Sequence, residues 1–338
     1  MNDRDPGFSD AMPGMERILY EVKKIVVGQD HFLERVLVAM LAQGHLLVEG
    51  VPGLAKTLTV KTLARTIHGA FRRIQFTPDL VPADLVGTRI YNQRTGEFAT
   101  SFGPVFTNLL LADEINRAPA KVQSALLEVM QEYQVTIAGE SYPVPQPFLV
   151  MATQNPIETE GTYPLPEAQV DRFMMKVLVG YPSEEEETVI VNRVTGTPAA
   201  VGAVASTEQL LQLQRECRNG YVDPALVQYA VRLVSATRHP DRYGIPGISK
   251  YIMYGASPRA TIHLVEGARA LAFLRNRNYV LPQDLIDLVP DVLRHRLSLS
   301  YEALADALTP DQIILRIMKH IRAPEKPLDT HVRVDAGA

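Results

Sequence analysis

Short apolar runs bounded by turn residues recur through the first half of the chain and predict the strands of a buried sheet. The runs are Leu46–Val48, Ile74–Phe76, Leu109–Leu111, Phe148–Met151 and Met174–Val179. Helical periodicity lies between several of them, most clearly in Lys121–Glu132, where apolar residues recur every three or four positions. This alternation predicts an α/β fold in which helices cover a parallel sheet.

The strand pattern stops after Tyr181 and Pro182, and helical periodicity then dominates. Ser183 and Glu186 have the spacing of a capping box at a helix start. The helical stretches that follow are Val222–Arg238, Pro258–Asn276 and Pro282–Leu288. We therefore predict a core domain over residues 16–182 and an all-helical domain over 183–325, with flexible tails at 1–15 and 326–338.

Two segments interrupt the α/β rhythm and predict β-hairpins. Ile90–Phe106 has turn residues at Arg94–Glu97 between β-prone residues, and Tyr133–Phe148 has them at Ala138–Ser141. The second segment is rich in proline, which suits an exposed edge strand. Both hairpins would follow a helix and precede a strand of the sheet.

Length, charge and cysteine content limit the classes of protein to which this chain could belong. The 338 residues suit two domains, and 34 Lys and Arg against 38 Asp and Glu give a net charge of −4. That balance does not attract nucleic acid as a whole. Cys217 is the single cysteine, which excludes an internal disulfide and fits a cytoplasmic location. The sequence contains neither a signal-peptide pattern nor an apolar run of membrane-spanning length.

A glycine-bearing loop joins the first predicted strand to a helix and resembles a P-loop. Its residues are Gly50, Val51, Pro52, Gly53, Leu54, Ala55, Lys56, Thr57 and Leu58. In this context the backbone N–H groups would cradle the phosphates of ATP, Lys56 would reach the β and γ oxygens, and the Thr57 hydroxyl would ligate Mg²⁺. Ala55 departs from the general motif, which has glycine there, so an ordinary strand–turn–helix stays an alternative.

Two carboxylates at the end of a later strand supply what a hydrolytic nucleotide site needs. Asp113 and Glu114 close the apolar run that begins at Leu109. Asp113 would hold the Mg²⁺ shell, and Glu114 would polarise the attacking water. The pair could also be a simple helix cap. The P-loop that precedes it in the sequence favours the role in hydrolysis.

Three further polar residues are candidates for the γ-phosphate. Asn155 follows a buried strand, and its amide could hold the attacking water. Arg172 and Arg259 are candidate γ-phosphate arginines, with surface ion pairs as the alternative. Ser257 as N-cap and Pro258 as first helical residue would put Arg259 in a first helical turn.

Taken together, these segments resemble the MoxR type of AAA+ ATPase from about Glu16 to Leu308. The markers are Val27-Gly-Gln, Gly50-Val-Pro-Gly-Leu-Ala-Lys-Thr, Ala112-Asp-Glu-Ile-Asn-Arg-Ala-Pro, Ala152-Thr-Gln-Asn-Pro, Leu165-Pro-Glu-Ala-Gln-Val-Asp-Arg-Phe and Gly255-Ala-Ser-Pro-Arg-Ala. Alanine is the usual residue of that family at position 55, so this departure from the general motif supports the resemblance.

The resemblance implies roles for individual residues and a fold. It implies a P-loop AAA+ core with a five-stranded parallel sheet, two hairpin insertions and a C-terminal helical lid domain. The implied roles are Walker A for Lys56 and Thr57, Walker B for Asp113 and Glu114, sensor 1 for Asn155, arginine finger for Arg172, sensor 2 for Arg259, and the adenine side for Val26–Gln29, including Val27 and Gly28. Arg259 would serve its own site or a neighbour's.

An arginine finger comes from a neighbouring subunit, so the resemblance implies a ring, expected to be a hexamer, that binds ATP or ADP with Mg²⁺. The leading hypothesis is a chaperone-like ATPase that remodels or activates a partner complex, together with a separate protein that carries a von Willebrand A domain. Alternatives are the motor subunit of a magnesium-chelatase-like complex, a nucleic-acid motor like the related MCM helicases, and a nucleotide-gated scaffold. The hairpin tips offer few basic residues for phosphate tracking, which disfavours the nucleic-acid motor.

Overall fold

The computed structural model of the chain describes residues 12–51, 53–94, 96–156, 161–196 and 200–324. It divides into two compact units, one that ends at Asn219 and one that begins at Gly220. No helix among the described residues is long and apolar enough to cross a membrane.

Nine strands lie in the described part of the first unit. In chain order they are β1 (Leu46–Glu49), β2 (Phe71–Gln75), β3 (Gly87–Asn92), β4 (Glu97–Phe102), β5 (Leu109–Asp113), β6 (Gln134–Ile137), β7 (Glu140–Pro143), β8 (Leu149–Gln154) and β9 (Met175–Leu178). Five of them form a parallel sheet in the order β2-β5-β8-β1-β9, which confirms the predicted five-stranded parallel sheet.

The apolar runs match the strands of this sheet because its central strands are covered on both faces. The first four residues of β5 and the first five of β8 are buried, so both read as continuous apolar segments. β2 lies at one edge of the sheet and begins earlier than predicted, at Phe71. Its second and third residues, Arg72 and Arg73, are exposed, so this part of the strand does not appear as an apolar run.

Helices surround the sheet. Those of the first unit are α1 (Met12–Lys23), α2 (Asp30–Leu41), α3 (Lys56–Thr66), α4 (Pro82–Val86), α5 (Ala120–Glu132), α6 (Glu167–Val170), α7 (Glu184–Thr195) and α8 (Thr207–Arg218). A buried cluster joins Leu126 of α5 to Leu110 and Ala112 of β5 and to Val150 and Ala152 of β8. Helix α7 begins with the predicted capping box, in which Ser183 and Glu186 bond each other's backbone N–H.

Both predicted hairpins are present. Strands β3 and β4 pair antiparallel, and so do β6 and β7. Tyr142 of the second hairpin packs edge-on against Phe102 of the first, with ring centroids 5.1 Å apart, and its hydroxyl lies 3.3 Å from that of Thr100. The hairpins therefore contact each other, and the turn residue Thr95 lies outside the described part of the chain.

The two compact units divide after Asn219, and the domain boundary after residue 182 stays a prediction. Helices α7 and α8 belong to the first unit, because their polar side chains bond its backbone. Gln214 of α8 donates to the carbonyl of Met40 at 2.6 Å, and Arg193 of α7 donates to the carbonyls of Lys23 and Lys24, each at 2.8 Å. A helical pattern shows that a helix forms but does not show which core it joins.

The predicted flexible tails lie mostly outside the described residues. Helix α1 starts at Met12, inside the tail predicted for residues 1–15, because Met15, Ile18 and Val22 are buried at helical spacing. Residues 1–11 of that tail, and the tail predicted at 326–338, lie outside the described residues.

The second unit is mostly helical. Its helices are α9 (Pro224–Arg238), α10 (Pro258–Leu274), α11 (Pro282–Leu293), α12 (Tyr301–Ala305) and α13 (Pro310–His320). A short antiparallel pair, β10 (Ile252–Tyr254) and β11 (Ser298–Leu299), adds to the predicted helices. Buried leucines such as Leu233, Leu264 and Leu288 supply its own core.

Candidate active site

The loop between β1 and α3 has the backbone that a phosphate-binding loop requires. A Cβ on Gly50 would lie 2.7 Å from the carbonyl oxygen of Val179, so no larger residue fits there without movement. Gly53 has φ of +87°, a conformation that favours glycine. Ala55 caps the N-terminus of α3 with φ of +55°, so Lys56 and Thr57 open the first turn of the helix. Pro52 lies outside the described residues.

Lys56 is half-buried and faces the carboxylates of the site. Its Nζ donates to the carbonyl of Gly50 at 2.7 Å. Burial lowers the pKa of Lys56, and the charges of Asp113 and Glu114 oppose that shift. The ammonium is therefore poorly solvated and lies near the helix N-terminus, where anions are favoured.

Asp113 is the last residue of β5, and Glu114 follows it at the carboxyl edge of the sheet. Arg73 of β2 donates from Nη2 to Asp113 Oδ2 at 2.6 Å, and Gln75 donates from Nε2 to Glu114 Oε2 at 2.8 Å. Arg117 reaches the same Glu114 oxygen from Nε at 3.1 Å. Both carboxylates are thus held by side chains of the same chain.

Thr153 of β8 bonds both acidic residues. Its hydroxyl donates to Asp113 Oδ1 at 2.5 Å and accepts the backbone N–H of Glu114 at 2.9 Å. Glu114 itself has a left-handed backbone, with φ of +56° and ψ of +51°. The turn that aims Glu114 is therefore fixed by a side chain from the neighbouring strand.

These groups converge on one cavity of about 370 Å³. It is lined by Gly50, Gly53, Leu54, Ala55, Lys56, Thr57, Leu58, Arg73, Gln75, Asp113, Glu114, Thr153 and Asn155. The Thr57 hydroxyl and the Asp113 carboxylate supply hard oxygen donors, which suit Mg²⁺. Within the described residues no group of three or more His, Cys, Asp or Glu could hold a metal by itself.

Most residues predicted for the site line this cavity, and some do not. Val27, Gly28, Val51 and Arg172 are in the same unit but do not line it. The segment around Gly28 instead packs on α7, since a Cβ at Gly28 would lie 2.6 Å from the carboxylate of Glu186. The adenine-side role of Val27 and Gly28 stays a prediction.

Arg259 belongs to the second unit. The Ser257 hydroxyl accepts the backbone N–H of Arg259 at 3.2 Å, and Pro258 is the first residue of α10, as predicted. Arg259 therefore lies in a first helical turn. Its role at a nucleotide site stays a prediction.

Sequence reasoning missed three residues that line the cavity: Arg73, Gln75 and Thr153. Arg73 and Gln75 are two positions apart on β2 and so project from one face of the strand. Gln75 stands beside Asp113 in the register of β2 and β5. The spacing of Arg73 and Gln75 indicates a site only once β2 is known to lie next to β5.

Comparisons with known proteins identify the class of enzyme to which this fold and cavity belong. The family model for ATPases associated with various cellular activities (AAA) matches residues 45–175, and the AAA lid domain matches residues 247–317. A crystal structure of a protein described as an ATPase from Cytophaga hutchinsonii superposes with a TM-score of 0.89 at 49% identity, covering 94% of this chain and 97% of that one. The site is that of an AAA+ enzyme, which hydrolyses ATP to ADP and phosphate.

Relatives of known name narrow the class to a family. The chain is 56% identical over 319 residues to chaperone MoxR1 of Mycobacterium tuberculosis, covering 94% of this chain and 85% of the relative. It is 31% identical to protein MoxR of Methylorubrum extorquens over 96% of this chain and all of the relative. The chain therefore belongs to the MoxR family of AAA+ ATPases.

Proposed function

We propose that this ATPase is the motor subunit of an oligomeric, chaperone-like assembly that remodels or activates a partner protein complex. The proposal is supported by the relative named chaperone MoxR1, which is similar over 94% of the chain. In this role the energy of ATP hydrolysis moves protein surfaces. The chain would act in the cytoplasm, as the single cysteine suggests.

The chemistry is assigned to the residues that share the cavity. Lys56 would bind the β- and γ-phosphates, and Thr57 and Asp113 would hold Mg²⁺, which would neutralise charge on the phosphates. Glu114 accepts a proton from the attacking water, and Asn155 orients that water. Asn155 is 9% exposed and lines the cavity, so its amide meets a bound nucleotide with little competition from solvent.

The observation that carries the oligomeric part of the proposal is the position of Arg172. It follows α6, is half-buried, and does not line the cavity of its own chain. The other cation that lines the cavity, Arg73, is bonded to Asp113, and a further cation at the γ-phosphate is worth about 10³–10⁵ in rate. We assign that cation to Arg172 of a neighbouring subunit in a ring, with six subunits as the expected number.

The expected client is a protein, and the expected partner carries a von Willebrand A domain. The first hairpin offers an exposed surface for such contacts, because Ile90, Tyr91 and Phe98 are each more than half exposed. Large exposed apolar side chains grouped on one element are typical of protein interaction sites. Few basic residues stand beside them, which disfavours a nucleic-acid strand as the client.

Trapping with a Glu114→Gln variant tests this function. The variant should bind ATP without hydrolysing it, so a client that is released during turnover stays bound and can be crosslinked and identified. A Lys56→Ala variant is the matched control, because it should fail to bind the nucleotide that forms the trap. ATP-dependent recovery of a von Willebrand A protein or another protein complex supports the proposal, whereas recovery of nucleic acid or of chelatase subunits contradicts it.

A further inference from the structure

Thr153 contacts both acidic residues of the site, although none of the roles assigned above involves it. Thr153 is 1% exposed, and its hydroxyl bonds Asp113, the last residue of β5, and the backbone of Glu114, which follows it. The direction of each bond is fixed by chemistry. The Glu114 backbone N–H can only donate, so the single hydroxyl proton of Thr153 must point to Asp113 Oδ1.

The strand register explains why this hydroxyl is needed. Strands β5 and β8 are parallel and paired as far as Ala112 and Ala152, one position before Asp113 and Thr153. Beyond that pair the backbone of Glu114 turns into the left-handed region and leaves the ladder. The Thr153 hydroxyl accepts the N–H that the ladder no longer satisfies, and a buried N–H without a partner costs about 1–3 kcal/mol.

Asp113 is bonded to two strands at once. Thr153 of β8 holds Oδ1 and Arg73 of β2 holds Oδ2, so the carboxylate is fixed from both sides of β5. A hydrogen bond from a hydroxyl to a carboxylate is short and strong. Any shift of Asp113 toward a cation in the cavity therefore pulls on Thr153, and through it on the backbone of Glu114.

We propose that Thr153 is a positioning residue that couples Asp113 to Glu114. It makes the position of the Mg²⁺-binding carboxylate of Asp113 and that of the hydrolytic carboxylate of Glu114 depend on each other. The inference rests on the proposed roles of these two acids. Thr153 lines the cavity but is 1% exposed, and both bonds of its hydroxyl go to the two acidic residues. Its hydroxyl acts through the Asp113 side chain and the Glu114 backbone, so its loss should lower kcat more than it weakens ATP binding.

The test compares Thr153→Val, which keeps the shape and removes the hydroxyl, with Thr153→Ser, which keeps the hydroxyl. Thr153→Val should lower kcat by about 10- to 100-fold, as for other groups that orient a catalytic side chain, with KM for ATP and the affinity for a fluorescent ATP analogue changed less than about 3-fold. Thr153→Ser should restore kcat to within about 3-fold of the wild type. Thr66→Val is the matched control, because Thr66 is also fully buried and its hydroxyl donates to Leu63 at the far end of α3.

The outcomes separate this inference from the proposed function. Thermal melting should show that Thr153→Val and Thr66→Val are folded, and only the former should lose turnover. If Glu114→Gln abolishes turnover while Thr153→Val does not, the roles of the acids stand and the coupling is wrong. If Thr153→Ser loses as much as Thr153→Val, or if the loss lies in nucleotide affinity, the coupling is also wrong. Full turnover of Glu114→Gln would overturn the proposed role of Glu114 and the coupling with it.

Discussion

Two residues of the active site hold a backbone conformation that costs free energy. Ala55 and Glu114 have φ of +55° and +56°, in the left-handed region that residues with a Cβ rarely adopt. Ala55 turns the chain into α3 so that Lys56 and Thr57 open the helix, and Glu114 turns away from β5 beside the same cavity. Strained residues of this kind gather at functional sites, where the surrounding structure holds them in place.

Substituting Ala55 by glycine should therefore stabilise the protein. Glycine adopts the left-handed conformation without a steric cost, and the relief should exceed its entropic cost, for a net gain of about 0.5–1 kcal/mol in the free energy of unfolding. Ala64→Gly, inside the same helix, is the matched control and should destabilise, since glycine is a poor helix former. Urea denaturation measures both changes. A loss of stability in Ala55→Gly would show that the conformation of Ala55 is not strained.

At the scale of elements, His45 joins three parts of the first unit. The backbone N–H of Val150 in β8 donates to Nδ1 at 3.1 Å, so Nε2 carries the proton and donates to the carbonyl of Met130 in α5 at 3.0 Å. The ring also packs edge-on against Phe148. Burial lowers the pKa of His45 from 6.5 to about 4, although the bond to Met130 opposes this.

The lowered pKa predicts a pH dependence of stability. The unfolded chain binds a proton at His45 near pH 6.5 and the folded chain only near pH 4, so stability is full above pH 6.5 and is lost as the pH falls through this window. The loss should approach about 3 kcal/mol at pH 4. A His45→Gln variant cannot titrate there, so the difference between the two proteins isolates the effect. Parallel denaturation profiles from pH 7 to pH 4 would contradict the assignment.

The first turn of helix α11 in the second unit contains a buried carboxylate, that of Asp284. Asp284 is fully buried and accepts from Arg275 at 3.0 Å, from Arg277 at 2.6 and 2.8 Å, and from the backbone N–H of Leu281 at 2.8 Å. Asp284→Asn would remove the buried negative charge that the partly exposed Arg275 and Arg277 share and should cost about 2 kcal/mol. Asp287→Asn is the matched control, since Asp287 is 26% exposed and also pairs with Arg275, and it should cost less than about 1 kcal/mol. Equal losses in urea denaturation would contradict this account.

The elements that the sequence predicted well are those with a local signal. β5 and β8 are apolar because both faces are covered, and α7 begins with its capping box. The missed features depend on which elements become neighbours. Arg73 and Thr153 lie in the site only because β2, β5 and β8 are neighbours in the sheet. The pattern of residues along the chain does not predict that strand order. The attachment of α8 to the first unit likewise depends on long-range bonds, such as that from Gln214 to the carbonyl of Met40.

At the scale of the whole molecule, the position of Arg172 links turnover to assembly. Because Arg172 does not line the cavity of its own chain, a single subunit lacks the cation that we assign to the transition state. ATP turnover per subunit should therefore rise with protein concentration and level off when assembly is complete. Arg172→Ala should lower the plateau by about 10³-fold or more, while ATP affinity changes little. Steady-state kinetics together with sedimentation in the presence of ATP measure both quantities.

Mixing two inactive variants tests whether Arg172 acts in a neighbour's site. Glu114→Gln subunits keep Arg172 but lack the hydrolytic carboxylate, and Arg172→Ala subunits keep Glu114 but lack the arginine. In a mixed ring, a site with both groups forms wherever an Arg172→Ala subunit receives Arg172 from a Glu114→Gln neighbour, so random assembly of equal amounts should recover about a quarter of wild-type turnover. A doubly substituted protein mixed with Arg172→Ala is the control and should recover none. If subunits exchange and the first mixture also stays inactive, Arg172 serves its own chain, and the shared site is wrong.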